Sequence, residues 1–421
     1  MMLTSPPGFE DVFPDSVLRW DLITKTVREV FKVYNYKEII VPVLEYTEVF
    51  SRGIGNETDI VSKEMFSFND RGGRGLTLRP EGTASVVRAY VGNGNYNRLS
   101  NSKLFYIGPM FRAERPQKGR LRQFNQFGCE SFGSDNPFYD YEIISMMHTI
   151  SSRLDINDYS LLINSIGCLE CRVDYITELK EYYRNRVNNL CDDCMKRFDR
   201  NPLRILDCKK GECVSLKLGA PKILSYICDN CRNHYNQLKE LLNMNNIDYI
   251  EEPYLVRGLD YYTKTTFEFV SDRLGGQNAF AAGGRYDNLV EVFGGKPTPA
   301  VGFAAGIERI NLLIEDNSVI ADSLDIFIVY SGDLGYRRAL DLAGMFRVHN
   351  ISVDMDPGSR GFKSQFKKAD RENARLAIII GEGELAEDSC TVKDMKTGNQ
   401  EQVHIDNVLN HVIAFLNVTA M

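Results

Sequence analysis

The chain has 421 residues, 43% of them hydrophobic and 25% charged, with a formal net charge of −7. That length predicts roughly two or three domains with ample core, and the composition is that of an ordinary globular protein. The acidic balance excludes a general attraction to nucleic acid, so any RNA binding must use local basic patches. No apolar run is long enough to span a bilayer, and the amino terminus lacks the apolar stretch of a signal peptide. Ten cysteines without a secretory signal predict a reducing compartment, the cytoplasm, and favour thiols or metal ligands over disulfides.

In chain order, Leu18, Leu22, Val27, Val30, Phe31 and Tyr34 follow Pro14 near helical spacing and predict a helix over 15–34. The Ile- and Val-rich YKEIIVPVLEYTEVF, 36–50, then predicts a strand, and strand-like runs dominate to Phe132. The most informative stretch is 108–130, GPMFRAERPQKGRLRQFNQFGCE, with Arg112, Arg115, Lys118, Arg120 and Arg122 inside eleven residues. Even apolar spacing on both sides predicts strands over 104–111 and 123–132, with 114–119 as a hairpin turn. Residues two apart share a face, so Phe124, Gln126, Gly128 and Glu130 line one surface. A basic turn on an edge hairpin is one reading. Against it, Arg112 ends an otherwise apolar strand, and Glu130 follows Gly128 and Cys129 in a half-buried stretch. Charges placed there must be paired or must bind something. An aromatic platform, an amide and a carboxylate beneath arginines suit a nucleotide and a small polar cation.

A helix is expected over about 139–154. Residues 168–246 then turn helical, charged and cysteine-rich, and strands resume near Leu255. Within that region Cys191-x2-Cys194 and Cys228-x2-Cys231 are paired as zinc ligands usually are, with Cys168 and Cys171 upstream and Cys208 and Cys213 between. The gap from Cys194 to Cys228 exceeds the usual ribbon spacing. A structural Zn²⁺ on Cys191, Cys194, Cys228 and Cys231 and a set of reduced thiols therefore both stand as readings, neither of them catalytic. A polar stretch, 315–323, reads as a linker. Beyond it DIFIVYS, ISVDMD and LAIIIGEGE alternate with helical stretches as β-α-β-α-β, a separate mixed α/β domain. Its segment 359–375 holds Arg360, Lys363, Lys367, Lys368, Arg371 and Arg375 against two acidic residues. That is either a solvated helix face or a phosphate-binding one.

Six segments, in order, carry a resemblance. YKEIIVPVLEYTEVF, with Pro42, resembles motif 1 of class II aminoacyl-tRNA synthetases, and the 108–130 hairpin resembles motif 2 in the form seen in the histidyl-tRNA synthetase family. TLRPEGT, 77–83, resembles that family's amino-acid-binding loop. LVRGLDYY, 255–262, and AGGRYD, 282–287, are similar to its two histidine signatures, and VGFAAGIER, 301–309, resembles motif 3. The resemblance implies an α+β fold: a class II synthetase-like antiparallel sheet flanked by helices, with a helical insertion and a C-terminal mixed α/β domain. It implies a catalytic domain over 1–320, with the insertion at about 168–246, and an anticodon-binding domain over 325–421. Also implied are a homodimer through motif 1, ATP with Mg²⁺, L-histidine, and the tRNA for histidine, with no membrane association.

Residue by residue, Arg112 and Arg257 match the catalytic arginines, Arg112 gripping the α-phosphate and substrate carboxylate and Arg257 stabilising the transition state. Arg309 resembles the γ-phosphate arginine and Arg120 a second phosphate ligand. Phe124 resembles the ring beneath adenine and Glu114 a contact to the base. Glu130 and Tyr262, beside Tyr261, match the imidazole contacts of a histidine site that also takes in Arg112 and Arg257. Glu81, Thr83 and Gln126 match its amino-group contacts. The chain departs from the commonest motif 2 wording at Ala113, Leu121 and Asn125, all expected to point off the ligand-facing register. The five histidines lie outside the motifs, no G-x-x-x-x-G-K-[ST] loop is present, and the class I signatures are missing. A regulatory paralogue of histidine biosynthesis, without catalysis, is the alternative reading, as is a histidine-sensing or RNA-binding module. Both would tolerate loss of the arginines that this chain retains.

Overall fold

The computed structural model describes residues 3–55, 58–92, 102–276, 278–315, 323–358 and 360–416. The chain divides into two compact units, Met1–Val319 and Ile320–Met421.

The first unit opens on α1 (Pro14–Val33), which buries Ile23, Val27, Val30 and Phe31 along one stripe. The segment expected to be one strand forms two short ones, β1 (Lys37–Glu38) and β2 (Leu44–Tyr46), and then helix α2 (Thr47–Ile54). Pro42 lies between them and has no N–H for a ladder. Strands β3 (Phe66–Asn69) and β4 (Gly75–Leu78) pair with β2 into a small sheet of order β2-β4-β3. Helix α3 (Thr83–Val91) interrupts a stretch expected to be strands throughout. The predicted hairpin follows as β5 (Lys103–Phe111) and β6 (Gln123–Phe132), then α4 (Phe138–Arg153) and β7 (Ser160–Ser165).

The insertion supplies α5 (Leu169–Arg184), α6 (Asp192–Arg200), α7 (Gly211–Lys217) and α8 (Asp229–Met244). Strands resume at β8 (Ile250–Glu251), and residues 255–262 form a loop rather than a strand before β9 (Thr263–Val270). The unit closes with β10 (Ala279–Arg285), α9 (Leu289–Val292), β11 (Ala300–Gly306) and α10 (Ile307–Asn311).

Eight strands join in the order β1-β5-β6-β11-β10-β9-β7-β8, antiparallel through the centre and parallel at the two edge pairs. Period-two alternation gives this sheet two unlike faces. Phe105, Phe127, Phe303, Phe267 and Phe269 point to one side and form a core with α1, α4 and α8. The other side carries Gln126, Gly128 and Glu130 opposite Gly306, Ala304 and Gly302. Small residues there leave room above the sheet, and that room is the site.

The second unit holds β12 (Ile326–Tyr330), α11 (Gly332–Val348), β13 (Val353–Met355), α12 (Phe362–Arg371) and β14 (Leu376–Ile380). After α13 (Glu382–Ala386) come β15 (Ser389–Asp394), β16 (Gln400–His404) and α14 (Val408–Leu416). The sheet order is β13-β12-β14-β15-β16, with β15 and β16 an antiparallel extension beyond the expected β-α-β-α-β core. The expected linker falls largely on 316–322, outside the described residues. Among the described residues no helix is long and apolar enough to cross a membrane.

Candidate active site

A cavity of about 300 Å³ lies on the glycine-lined face of the large sheet. Its walls include Glu81, Thr83, Arg112, Glu114, Arg120, Phe124, Gln126, Arg257, Tyr261, Tyr262 and Arg309. These come from four separate stretches of chain, and only the fold brings them together. Of the residues matched to the histidine and ATP sites, Glu130 alone is missing from this lining, and it is fully buried.

The hairpin forms one wall. Arg112 continues β5 past its end, with its backbone N–H donating to the Arg122 carbonyl at 2.8 Å and its Nε to the Pro80 carbonyl at 2.9 Å. Its guanidinium sits 5.3 Å from the centre of the Phe124 ring, a spacing at which cation and π-face attract. At the tip Gln117 and Arg120 exchange backbone hydrogen bonds, and Arg120 pairs with Glu114 at 2.6 Å. Leu121 lines the cavity, contrary to the expectation that it points away. Asn125 does turn aside: its backbone N–H and side-chain amide both donate to Glu308, the backbone at 2.8 Å and the amide at 3.1 Å.

The floor is a carboxylate network. Glu81 accepts the backbone N–H groups of Thr83 and Ala84, each at 2.7 Å, and so caps the start of α3. The Thr83 hydroxyl donates to Glu130 Oε1 at 2.7 Å, and the Tyr286 hydroxyl donates to Oε2. Both acids are buried. Burial pushes the Glu130 carboxyl well above the ordinary carboxylate range, although the Tyr286 and Thr83 hydrogen bonds pull it back. Burial raises Glu81 too, against the backbone donors and Arg112. Above them the Gln126 side-chain oxygen is buried with no hydrogen-bond partner. An orphaned acceptor aimed into a cavity is costly unless a ligand donates to it.

The far wall is the 255–262 loop. Arg257 donates through Nη1 to Glu268 on β9, and its Nε is buried without a partner. Burial works against its charge, yet Glu268 more than offsets this and holds the guanidinium above its ordinary range. The rings of Tyr261 and Tyr262 lie 4.6 Å apart, and Tyr262 faces Arg257 at 5.8 Å. Arg309, on α10, donates through Nε to the Gly119 carbonyl at 3.3 Å and through Nη1 to Ala279. Burial, and then the like charge of Arg120, push this guanidinium below its usual range. An anion among Arg112, Arg120 and Arg309 would relieve that repulsion.

Several participants escaped sequence reasoning. Glu268 had a readable signal, since alternation in TKTTFEFV places it on the face of Thr266 and Lys264. Tyr286 and Asp207 lie inside segments singled out for other reasons, and their positions depend on the tertiary fold. The cysteine assignment needs correction. Cys191 and Cys194 gather with Cys208 and Cys213, whereas Cys228 and Cys231 gather with Cys168 and Cys171. Each Cys-x2-Cys starts a different helix, and chain spacing could not tell which starts meet.

Residues 8–193 and 204–310 match the sequence model of histidyl-tRNA synthetase, and residues 325–414 that of an anticodon binding domain. The histidine–tRNA ligase of Halothermothrix orenii is 48% identical over 415 residues, covering 98% of this chain and 99% of that protein. The one from Natranaerobius thermophilus is 44% identical over 407 residues, 96% of this chain and 97% of that one. The crystal structure of apo S. aureus histidyl-tRNA synthetase superposes with a TM-score of 0.81 at 36% identity, covering 98% of this chain and 100% of that chain.

Proposed function

The chain belongs to the histidyl-tRNA synthetase family and works as a histidine–tRNA ligase, and from that premise we propose how its pocket residues share the chemistry. In the first step a histidine carboxylate oxygen bonds to the α-phosphorus of ATP while the bond to the leaving pyrophosphate breaks. In the second a hydroxyl at the 3′ end of the tRNA attacks the adenylate carbonyl and AMP leaves. Both partners of the first step are anionic, so catalysis consists of holding them together and countering the charge that builds on the phosphoryl oxygens.

Four arginines around one cavity, Arg112, Arg120, Arg257 and Arg309, carry this reading. Arg112 and Arg257 approach from opposite walls and hold the carboxylate and α-phosphate between them. Arg120 and Arg309 take the outer phosphates, with Arg120 exchanging its Glu114 partner for phosphate and Glu114 turning to the adenine. Phe124 supports the base. An arginine's fork suits paired phosphoryl oxygens, which a lysine would grip as a point charge.

Gln126, with its orphaned oxygen, accepts from the substrate ammonium beside Glu81 and Thr83. The Tyr261–Tyr262 pair, with Glu130 acting from below through the Thr83 and Tyr286 hydroxyls it holds, reads the imidazole, and an amino acid unable to satisfy those buried groups is rejected. No histidine lines this cavity, so proton transfer through a protein imidazole has no place in the scheme. Magnesium is expected with the nucleotide, where it screens phosphate charge. Glu268 and Glu308 are each engaged by a protein partner, which suits an ion that would be held mainly by the nucleotide itself.

The C-terminal unit reads the tRNA, with phosphate contacts on α12. Motif 1 forms a homodimer interface, supported by Ile40, 91% exposed, and Tyr46, 51% exposed. Ten free cysteines support a cytoplasmic location. The test is histidine-dependent ATP–pyrophosphate exchange with wild type and Arg257→Ala, followed by tRNA charging. Exchange that collapses in the variant supports the scheme. Absence of exchange from folded protein that binds histidine overturns it in favour of a non-catalytic paralogue.

A further inference from the structure

The insertion gathers eight of the ten cysteines into two clusters of four, and within each cluster all sulfur atoms lie within 4.8 Å of one another. We propose that each cluster binds one zinc ion as a closed tetrathiolate, so that the chain carries two structural metals. The first site is Cys168, Cys171, Cys228 and Cys231, and the second is Cys191, Cys194, Cys208 and Cys213.

Geometry separates this from the alternatives. Four thiolates about 2.3 Å from a tetrahedral zinc stand about 3.8 Å from one another. The Cys168–Cys171, Cys171–Cys231 and Cys191–Cys208 sulfurs are 3.4, 3.9 and 3.8 Å apart. A disulfide requires about 2.0 Å, and all eight thiols are free. A four-iron cluster would stand inside the sulfur cage and spread it wider. The spacing suits a single ion.

The backbone is arranged alike at both sites. Cys168, Cys191 and Cys228 are each the residue that starts a helix, and the second cysteine of each pair falls in the first turn. Amide groups turn onto sulfur: Cys228 N–H donates to Cys171 Sγ at 3.1 Å, and Cys191 N–H to Cys213 Sγ at 3.4 Å. Such donors and helix starts favour thiolate over thiol. At Gly167, φ +66°, an added Cβ would meet the Cys171 Cβ at 2.6 Å, so only glycine lets the chain pass this close. With every ligand position filled by sulfur, neither site has an opening for substrate.

The sites brace the catalytic loop. The segment closed by the second cluster carries Asn201, which donates to Asp260 at 2.8 Å, and Arg204, which donates to the Arg257 carbonyl at 3.2 Å. The helix begun by the first cluster carries Arg172, which donates to the Tyr262 carbonyl. Both ends of the loop thus rest on segments that a metal would hold.

The full chain, expressed with zinc in the medium and freed of loose metal by gel filtration, is analysed for bound elements beside Cys171→Ser and Cys208→Ser. The expected result is two zinc ions per chain in wild type and one in each variant. Should a variant fail to fold, native wild type titrated with a mercurial in the presence of a zinc indicator gives the same count, with eight thiols releasing two ions. Zinc-free protein with directly reactive thiols, stoichiometric iron in place of zinc, or a metal count that neither substitution lowers would each overturn the proposal.

Discussion

Arg257 and Glu268 form an ion pair across the wall of the cavity, one on an irregular loop and the other on β9 of the large sheet. The strand carboxylate gives a fixed direction to a guanidinium that its own loop cannot orient. Glu268→Gln keeps the shape and removes the charge. Pyrophosphate exchange is expected to fall about tenfold in Glu268→Gln, against roughly 10²–10³-fold in Arg257→Ala. The double variant should lose little beyond Arg257→Ala, because both act through one group. A Glu268→Gln rate equal to wild type would remove Glu268 from the catalytic arrangement.

Gly302 faces Glu130 across the β6–β11 ladder. A Cβ at Gly302 would fall 1.8 Å from Glu130 Oε2, so Gly302→Ala must push that carboxylate aside. The expected outcome is a histidine KM raised about tenfold or more, with the ATP KM within about twofold of wild type. Equal effects on both constants would mean the floor carries no amino-acid specificity.

Glu130 also carries a pH signature. Its folded-state pKa is raised by burial. Its contribution to stability is therefore fully present below the unfolded glutamate value, about 4.3, and is lost as pH rises through the folded value. Glu130→Gln should unfold at higher denaturant than wild type at neutral pH, with the advantage shrinking toward pH 4. The same variant should bind histidine more weakly. Denaturant melts across pH, compared with calorimetric histidine binding, check both halves.

Asp140 shows the opposite sign. It is fully buried and opposes its burial through Arg285, at 2.6 Å, and His234, at 3.6 Å, which together bring it down to about 2. Its contribution holds above the unfolded aspartate value, about 3.9, and fades as pH falls toward about 2. Asp140→Ala leaves the buried Arg285 guanidinium with only its longer ion pair to Asp287, at 3.3 Å, and should cost about 3 kcal/mol at neutral pH. Urea unfolding of the first unit, followed by tyrosine fluorescence, measures it.

On α12, Lys368 pairs with Asp354, and nearby Arg371 and Arg375 pair with Glu372 and Asp325. Lys363 and Lys367 are exposed on the same helix. Replacing both by alanine should weaken tRNA binding and flatten its salt dependence by about 1–2 logarithmic units of slope. Exchange without tRNA should stay as in wild type. Unchanged tRNA affinity would make this a plain solvated helix.

Legibility followed the range of the interactions. The hairpin was readable because alternation is local: the second strand, Gln123–Phe132, has the bounds its pattern predicts, and the first begins one residue early, at Lys103. The face shared by Phe124, Gln126 and Glu130 followed from the same period. Motif 1 misled because Ile and Val signal a strand while Pro42 breaks the ladder. Helix α3 was hidden because Thr83–Val91 is rich in β-branched residues, and Glu81 supplies from outside the cap that its own start lacks. The Tyr286 contact and the pairing of the cysteines depend on segments distant in sequence, which no local pattern encodes, whereas the β15–β16 hairpin is local and lies beyond the stretch whose alternation was read.

The salt bridge between Asp59 and Arg197, 2.5 Å long, and the second one from Arg204, at 3.3 Å, bind the insertion to the turn after α2. The insertion is therefore a poor candidate for excision. A shortened enzyme, joined directly from β7 to β8, would leave Asp59 without either cation and the Arg257 carbonyl without its donor. Anyone trimming this scaffold toward a minimal catalyst should graft a replacement for Arg204 before cutting, because the apparent appendage is part of the frame around the active site.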